Sequence, residues 1–399
     1  MSASDNPLGL EPRLQAILAQ EYPRFSDAEY ARRQAQLAAV MQKHGVDHLL
    51  MVSNNRAGNG TQWLTAWPGT VEALTIFKPG ERMKMFMEWH NHIPLAKVIA
   101  RDVDVSWGEH EGIVKTIAEL KRRGAKCVGV IGPLPAGKLK QLEAHYAVKA
   151  LDAEYTRLRM IKSEEELDWL RIGAALSDAG LAALIEGAKP GLDERELSAL
   201  VESGYIKLGG TTMIHYIGCT AMAAPHIHVP RQHPSPRKLA AGDVLFCELS
   251  AFWWDYAGQV LRTMTIAADP TPLYRDLYQT AEDAFDAVSK VIRHGAGMQE
   301  ILAASGLIEE RGFTVCDDLL HGFGGGYFQP ILGSRSRPAG KIPDMTLEEN
   351  MTVVLQPNVT TTEADEVKRA GVQVGEMLRV TKTGFERMHR AERKLFRIG

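Results

Sequence analysis

The sequence predicts an α/β N-terminal domain joined to an α+β C-terminal domain. Three observations predict it. A chain of 399 residues exceeds one ordinary hydrophobic core, so two domains are expected. Strand-like runs alternate with helical runs through residues 1–158. Through residues 159–399, helix pairs separated by groups of strands occur twice, the pattern of an α+β domain with internal duplication.

The first strong element is "FSDAEYARRQAQLAAVMQKHGVDHLLMVS". Ser26 or Asp27 caps a helix, apolar residues recur at helical spacing through Leu37, Val40 and Met41, and Gly45 ends it before a buried strand. Further strands are expected at "EALTIFK", "RMKMFMEW" and "CVGVIG", with a helix at "GIVKTIAELKRRG". "GPLPAGK" lacks the spacing and the Ser or Thr of a phosphate loop. The second domain opens at Ser163, which with Glu166 forms a capping box ahead of a long helix. A turn and second helix ("KPGLDERELSALVESGYIKLGG"), about 50 strand-like residues, another helix pair, and strands at "MTVVLQPNV" and "GVQVGEMLRVT" follow.

Composition narrows the function. The chain is 45% hydrophobic and 24% charged, with a net charge of −3 and no basic stripe, which argues against a nucleic-acid partner. Mean hydropathy is −0.17. No apolar run reaches the ~18 residues of a membrane span, and "MSASDNPLGLEPRLQ" lacks the layout of a signal peptide. Cys127, Cys219, Cys247 and Cys316 are far apart with no CxxC, which suits buried thiols in a reducing, cytoplasmic setting. Cys247 beside Glu248 reads as a buried inert thiol before it reads as a nucleophile.

Polar residues that could do chemistry gather in the second domain. In "HYIGCTAMAAPHIHVP", His226 and His228 share a face if the segment is a strand; with His215 they could bind metal, act on substrate, or sit in a loop bracketed by Pro225 and Pro230. Glu248 stands on an apolar strand, where burial raises a carboxyl pKa and suits it to acid/base or nucleophilic work; the plainer role is a salt bridge to Arg262 or Arg237. His321 enters the Gly-rich loop of "LLHGFGGGYFQP", and Gln356 places an amide on a β-branched strand, as structural glue or substrate ligand.

Together "RMIKSEEELDWLRIGAAL", "KPGLDERELSAL", "PH", "GDVLFCEL…YAGQVLRT", "HGFG" and "MTVVLQP" occur in the order of the creatinase/aminopeptidase P/methionine aminopeptidase superfamily, which the chain resembles from about residue 25 to 385. The resemblance implies a pita-bread catalytic domain over 159–399 behind a creatinase-like domain over 1–158. In the metallopeptidase members two aspartates, one histidine and two glutamates hold two metal ions; here those positions carry Glu248, Gln259, His321, Gln356 and Gly375. Two amides and a glycine cannot supply the bridging carboxylates such a pair requires, so no metal and no cofactor are expected. Glu376 is one residue off and should face the other way.

The resemblance extends to metal-free members, creatinase and ectoine hydrolase. It implies a metal-independent hydrolase of a small non-peptide C–N substrate, with His226, Glu248 and His321 catalytic and His228, Gln259, Gln356, Trp254, Tyr327 and Glu376 binding substrate. The creatinase glutamates fall on Leu261 and Gln356, and the late glutamate of ectoine hydrolase falls on Gly375, so neither substrate is assigned. Alternatives are a metal-dependent Xaa-Pro peptidase, a non-catalytic pita-bread binding protein, and a C–S or C–C lyase. Superfamily members commonly dimerise, which implies a homodimer in which His90, His92 and the loop 54–60 could reach a partner's pocket.

Overall fold

Ser26 and Gly45 bracket the first long helix as the sequence requires. The Ser26 side chain accepts from the Glu29 N–H at 3.2 Å, and Gly45 ends helix Asp27–His44 at a φ of 61°. The structure is a computed structural model that describes residues 6–54, 58–69 and 71–399. It divides into two units, Gln20–Arg159 and a second made of Met160–Gly399 with the segment through Ala19. The helix Pro12–Leu18, which the sequence placed with the first domain, therefore groups with the second; Arg13 ion-pairs with Asp168 there.

In the first unit, β1 (His48–Ser53), β2 (Ala73–Phe77), β3 (Met83–Met87), β4 (Val103–Trp107), β5 (Cys127–Ile131) and β6 (Ala147–Ala150) form one mixed sheet in the order β4-β3-β2-β1-β5-β6. Leu50, Val52, Leu74, Ile76, Val128 and Val130 bury against Ile113 and Leu120 of helix Gly112–Arg122, an α/β arrangement. Strands β4 and β6 were not anticipated. The short β6, "AVKA", lies at the sheet edge and is mostly exposed, so no buried alternation marks it.

The second unit opens on helix Glu164–Gly187, whose capping box is complete: Ser163 accepts from the Glu166 N–H at 3.2 Å, and Glu166 accepts from the Ser163 N–H at 3.0 Å. Asp193 caps helix Glu194–Tyr205 in the same way. Then come β7 (Thr211–Ala221), β8 (Asp243–Trp253) and β9 (Tyr256–Ile266), helix Pro272–Ser289, β10 (Thr314–Val315), β11 (Leu320–Phe323), β12 (Tyr327–Leu332), β13 (Thr352–Leu355), β14 (Val359–Thr360), β15 (Gly375–Val380), β16 (Phe385–Arg387) and β17 (Phe396–Ile398). The main sheet runs β12-β11-β13-β15-β9-β8-β7, with β16 on β15 and β17 on β9, while β10 and β14 pair separately. Both strand groups thus join one sheet, and one apolar cluster including Phe246, Leu277, Phe285, Leu320 and Val374 backs it.

Helix Glu164–Gly187 lies directly on β9 because Gly258 has no side chain. A Cβ there would come within 2.4 Å of the Ala174 Cα and 2.8 Å of its nitrogen, both backbone. Gly258→Ala should therefore destabilise the protein by about 2–3 kcal/mol, the upper range for overpacking. Gly137→Ala, whose Cβ meets nothing within 4 Å on a helix, is the neutral control. Equal melting temperatures for the two variants would refute this close contact.

Candidate functional site

Sheet register places the candidate residues. Tyr216 on β7 lies opposite Glu248 on β8, and on β9 Leu261 lies opposite Glu248 and Gln259 opposite Ser250. Gly375 lies opposite Leu261, and His321 lies opposite Val354. Opposed residues share a face and successive residues alternate. Leu355 pairs with Glu376, so Gln356 and Gly375 lie on the other face, with Glu248, Gln259 and His321. Arg262 and Glu376 point to the opposite side.

A chain of hydrogen bonds joins the members of this face. The Gln259 amide Nε2 donates to Glu248 Oε1 at 2.5 Å and its Oε1 meets His321 Nε2 at 2.9 Å. In this orientation Nε2 of the imidazole must carry a hydrogen, since an amide oxygen only accepts. Asp318 Oδ2 holds the other ring nitrogen, Nδ1, at 2.7 Å. The Tyr327 hydroxyl donates to Glu248 Oε1 at 3.3 Å; the residue as a whole is 48% exposed while its hydroxyl points inward. Among the described residues, Glu248 Oε2 carries no hydrogen-bond partner.

Burial dominates the electrostatics. The Glu248 carboxyl is pushed up to about 8 by burial and by the charges of Asp317 and Asp318, so it is protonated at neutral pH. Among the described residues no Lys or Arg pairs with it: Arg262 pairs with Glu376, and Arg237 pairs with Asp243, which disposes of the salt-bridge alternative. Asp317 is raised to about 6 by burial and by Asp318, which keeps its own charge. Burial opposes ionisation of Asp318, but its hydrogen bond with His321 and the charge there outweigh it and lower its pKa. The Cys247 thiol is pushed up to about 12 by burial and is inert.

The five positions that the resemblance assigns to metal ligands do not fit a pair of divalent cations. One is a carboxyl that burial holds protonated. Two are amides, and the Nε2 donor of each faces a neighbouring acid, the Glu248 carboxyl or the Asp318 carboxylate. The fifth is closed: a Cβ at Gly375 would stand 2.8 Å from the Leu355 carbonyl oxygen and from the Gln356 Cβ, so no side chain projects there. Among the described residues, no group of three or more His, Cys, Asp or Glu side chains is placed to hold a metal ion.

Other candidates lie elsewhere. His226 and His228 are in the loop after β7, not on a strand, because the strand ends at Ala221 ahead of Pro225. The His226 ring is held by the Thr220 hydroxyl at 2.8 Å and is exposed. Partial burial and the charges of Arg237 and Arg231 keep its pKa below the ordinary imidazole value. Thr220 lies four residues along β7 from Tyr216, roughly 13 Å at strand spacing, and no hydrogen bond links His226 to Glu248 among the described residues. His228 packs beside Gly371 in the field of Arg369 and Glu366. His215 bonds the Tyr205 hydroxyl at 2.8 Å.

Trp254 occupies the turn between β8 and β9 at a φ of 49°, six residues beyond Glu248, so it is not beside the buried chain of bonds; Trp253 packs on Trp169. Glu376, a candidate substrate contact, is instead committed to Arg262 and Arg387 on the far face. The Pro-rich loop itself is pinned from below, Glu194 accepting from Arg231 at 2.6 Å and from the Ser235 N–H at 2.7 Å. Sequence reading missed Tyr216, Asp317 and Asp318. The adjacent acids of "CDDLL", opening an apolar run, were a legible signal. Of the loop 54–60, residues 55–57 lie outside the described residues.

Residues 168–382, more than half of the chain, match metallopeptidase family M24. A Xaa-Pro dipeptidase of Pyrococcus horikoshii is 24% identical over 82% of this chain and 86% of its own length. A Xaa-Pro dipeptidase of Pyrococcus furiosus is 23% identical over 68% of this chain and 76% of its own. Among solved structures, a Xaa-Pro dipeptidase from Bacillus anthracis superposes with a TM-score of 0.79 at 18% identity, covering 92% of this chain and 100% of that one. The fold is therefore the pita-bread arrangement with an N-terminal domain. These relatives overturn the expectation of a creatinase-like, metal-independent hydrolase of non-peptide C–N compounds, because curated relatives aligned over most of this chain are Xaa-Pro dipeptidases. The sequence reading erred by letting the eroded ligand positions and the shared His226 and Glu248 outweigh similarity along the whole chain.

Proposed function

The chain belongs to metallopeptidase family M24, and from that premise we propose that it acts on short peptides of the Xaa-Pro type. The observation that carries this reading is collinear similarity to a Xaa-Pro dipeptidase over 82% of the chain, spanning both units. The polar face supports it. A protonated Glu248, with Oε2 unpartnered among the described residues, can donate to a peptide carbonyl oxygen, which sharpens the carbon as an electrophile. Gln259 and Tyr327 hold the other carboxyl oxygen, and Asp318 and Gln259 fix the His321 ring. The residues do not fit the metal pair for which the family is named.

That misfit favours a second reading, retention of an Xaa-Pro peptide without cleavage. Release of free proline from Ala-Pro, measured with chelator and again with added manganese, separates the two. Under the first reading proline is released and Glu248→Ala slows it by about 10²-fold or more. Under the second, calorimetry shows Ala-Pro binding with no release. Neither binding nor release would sink both.

The assembly and compartment belong to the same proposal. Exposed Trp89, Leu95, Val98 and Trp107 on the first unit support a homodimer, which light scattering would check. Four free cysteines support a reducing, cytoplasmic setting. Among the described residues no helix is long and apolar enough to cross a membrane.

A further inference from the structure

The structure assigns an ammonium-binding subsite to Asp317, Asp318 and Gln356, at the start of β11 and the end of β13. Three observations meet there. The Gln356 Nε2 donates to both the backbone oxygen and the Oδ1 of Asp318, each at 3.2 Å. Those bonds fix which way the amide points. Its Oε1 is then a buried acceptor with no donor among the described residues, in a side chain that is 1% exposed. A buried oxygen left in that state is unfavourable, so the position suits a ligand that brings an N–H.

Charge gives the second observation. Asp317 and Asp318 are adjacent, joined by the Asp318 N–H to Asp317 Oδ1 at 2.8 Å, and both act on Glu248. Among the described residues no Lys or Arg forms an ion pair with any of these three acids, and the His321 imidazole is the one basic partner, on Asp318. The cluster therefore favours a cation. The third observation is the kind of cation. A primary ammonium offers three N–H donors to an acceptor-only cluster of two carboxylates and an amide oxygen. A quaternary ammonium offers none.

This inference rests on the peptide reading in one respect: the cation is placed as the free N-terminus of the Xaa-Pro substrate, leaving its peptide bond over Glu248. The same pair of acids would then make the site prefer short peptides with an unblocked amine.

Calorimetry with Ala-Pro and N-acetyl-Ala-Pro tests it. Wild type should bind the acetylated peptide at least tenfold more weakly, and Asp317→Asn should bring the two affinities together. Gln356→Met, of similar volume without the acceptor, should narrow the gap in the same direction and serves if Asp317→Asn folds poorly. Equal affinities in wild type, or variants that weaken both peptides equally, would overturn the subsite. If Ala-Pro does not bind at all, the peptide reading fails, and 1,4-diaminobutane becomes the probe. Binding of that amine lost in Asp317→Asn would uphold the subsite, and its absence in wild type would overturn it. Binding of manganese alone that disappears in Asp317→Asn would likewise overturn the ammonium assignment in favour of a metal.

Discussion

Replacing Glu248 with Gln is expected to flatten the pH dependence of stability between the ordinary carboxyl value, 4.5, and about 8. In the folded chain the carboxyl keeps its proton up to about pH 8, whereas in the unfolded chain it loses it near 4.5. Across that window the folded state binds more protons, so wild-type stability must fall as pH rises. Its slope approaches about 1.4 kcal/mol per pH unit where only the unfolded chain is ionised, a total of order a few kcal/mol. Below the window both states are protonated and the term vanishes; above it both are ionised and the loss is complete. Asp317, raised to about 6, adds a term of the same sign over a lower window. Gln at 248 cannot titrate and still accepts from Tyr327. The variant should therefore gain on wild type steadily from pH 5 to pH 8. Chemical denaturation at four or five pH values, with the variant-minus-wild-type difference plotted, reads the effect directly. A flat difference would mean that Glu248 is ionised in the folded protein, and the reading of it as a hydrogen-bond donor would fall with it.

The sequence carried the long elements because their signals are local. Ser163 and Glu166 bound each other as a capping box, and Gly45 ended its helix, because caps depend on residues three or four apart. Strand β6 failed for the same reason: its four residues gain their place from neighbour β5 and not from their own pattern. The one-face placement of Glu248, Gln259, His321 and Gln356 followed from strand alternation once the strands were found. Orientation in loops did not. The sequence left His226 and His228 between a strand and a loop bracketed by Pro225 and Pro230; the loop is what forms, and the two rings keep different company. The acids Asp317 and Asp318 were legible as a pair in "CDDLL", but what gives them importance, the lack of a Lys or Arg partner among the described residues, is settled by three-dimensional packing. Substrate class was misread by a different fault, in weighing a few site positions above the whole alignment.

Glu376 shows how that fault can be turned into a measurement. Glu376→Ala should destabilise the protein by about 3–5 kcal/mol, the range for a buried ion pair stripped of one partner. Arg262 and Glu376 are both fully buried, with Nη2 to Oε2 at 2.7 Å. The guanidinium uses its remaining donors on the backbone oxygens of Glu392, Leu261, Gly375 and Ala391. It thereby ties β9 to β15 and to the chain near the C-terminus. Arg387 closes the other side of the carboxylate. Burial alone would raise the Glu376 pKa, but Arg387 and Arg262 hold it below the ordinary carboxyl value, so this pair stabilises at neutral pH and fails on acidification. Removing the carboxylate leaves Arg262 charged, buried and short of one acceptor. Pairing the change with Arg262→Met removes the stranded charge but leaves the backbone oxygens it served without that donor, so the double variant should recover only part of the loss. A thermal or denaturant melt of the two singles and the double closes the cycle. If Glu376 instead touched substrate, Glu376→Ala would melt near wild type and weaken peptide affinity alone. That outcome would return the residue to the pocket and reverse the face assigned to it by strand alternation.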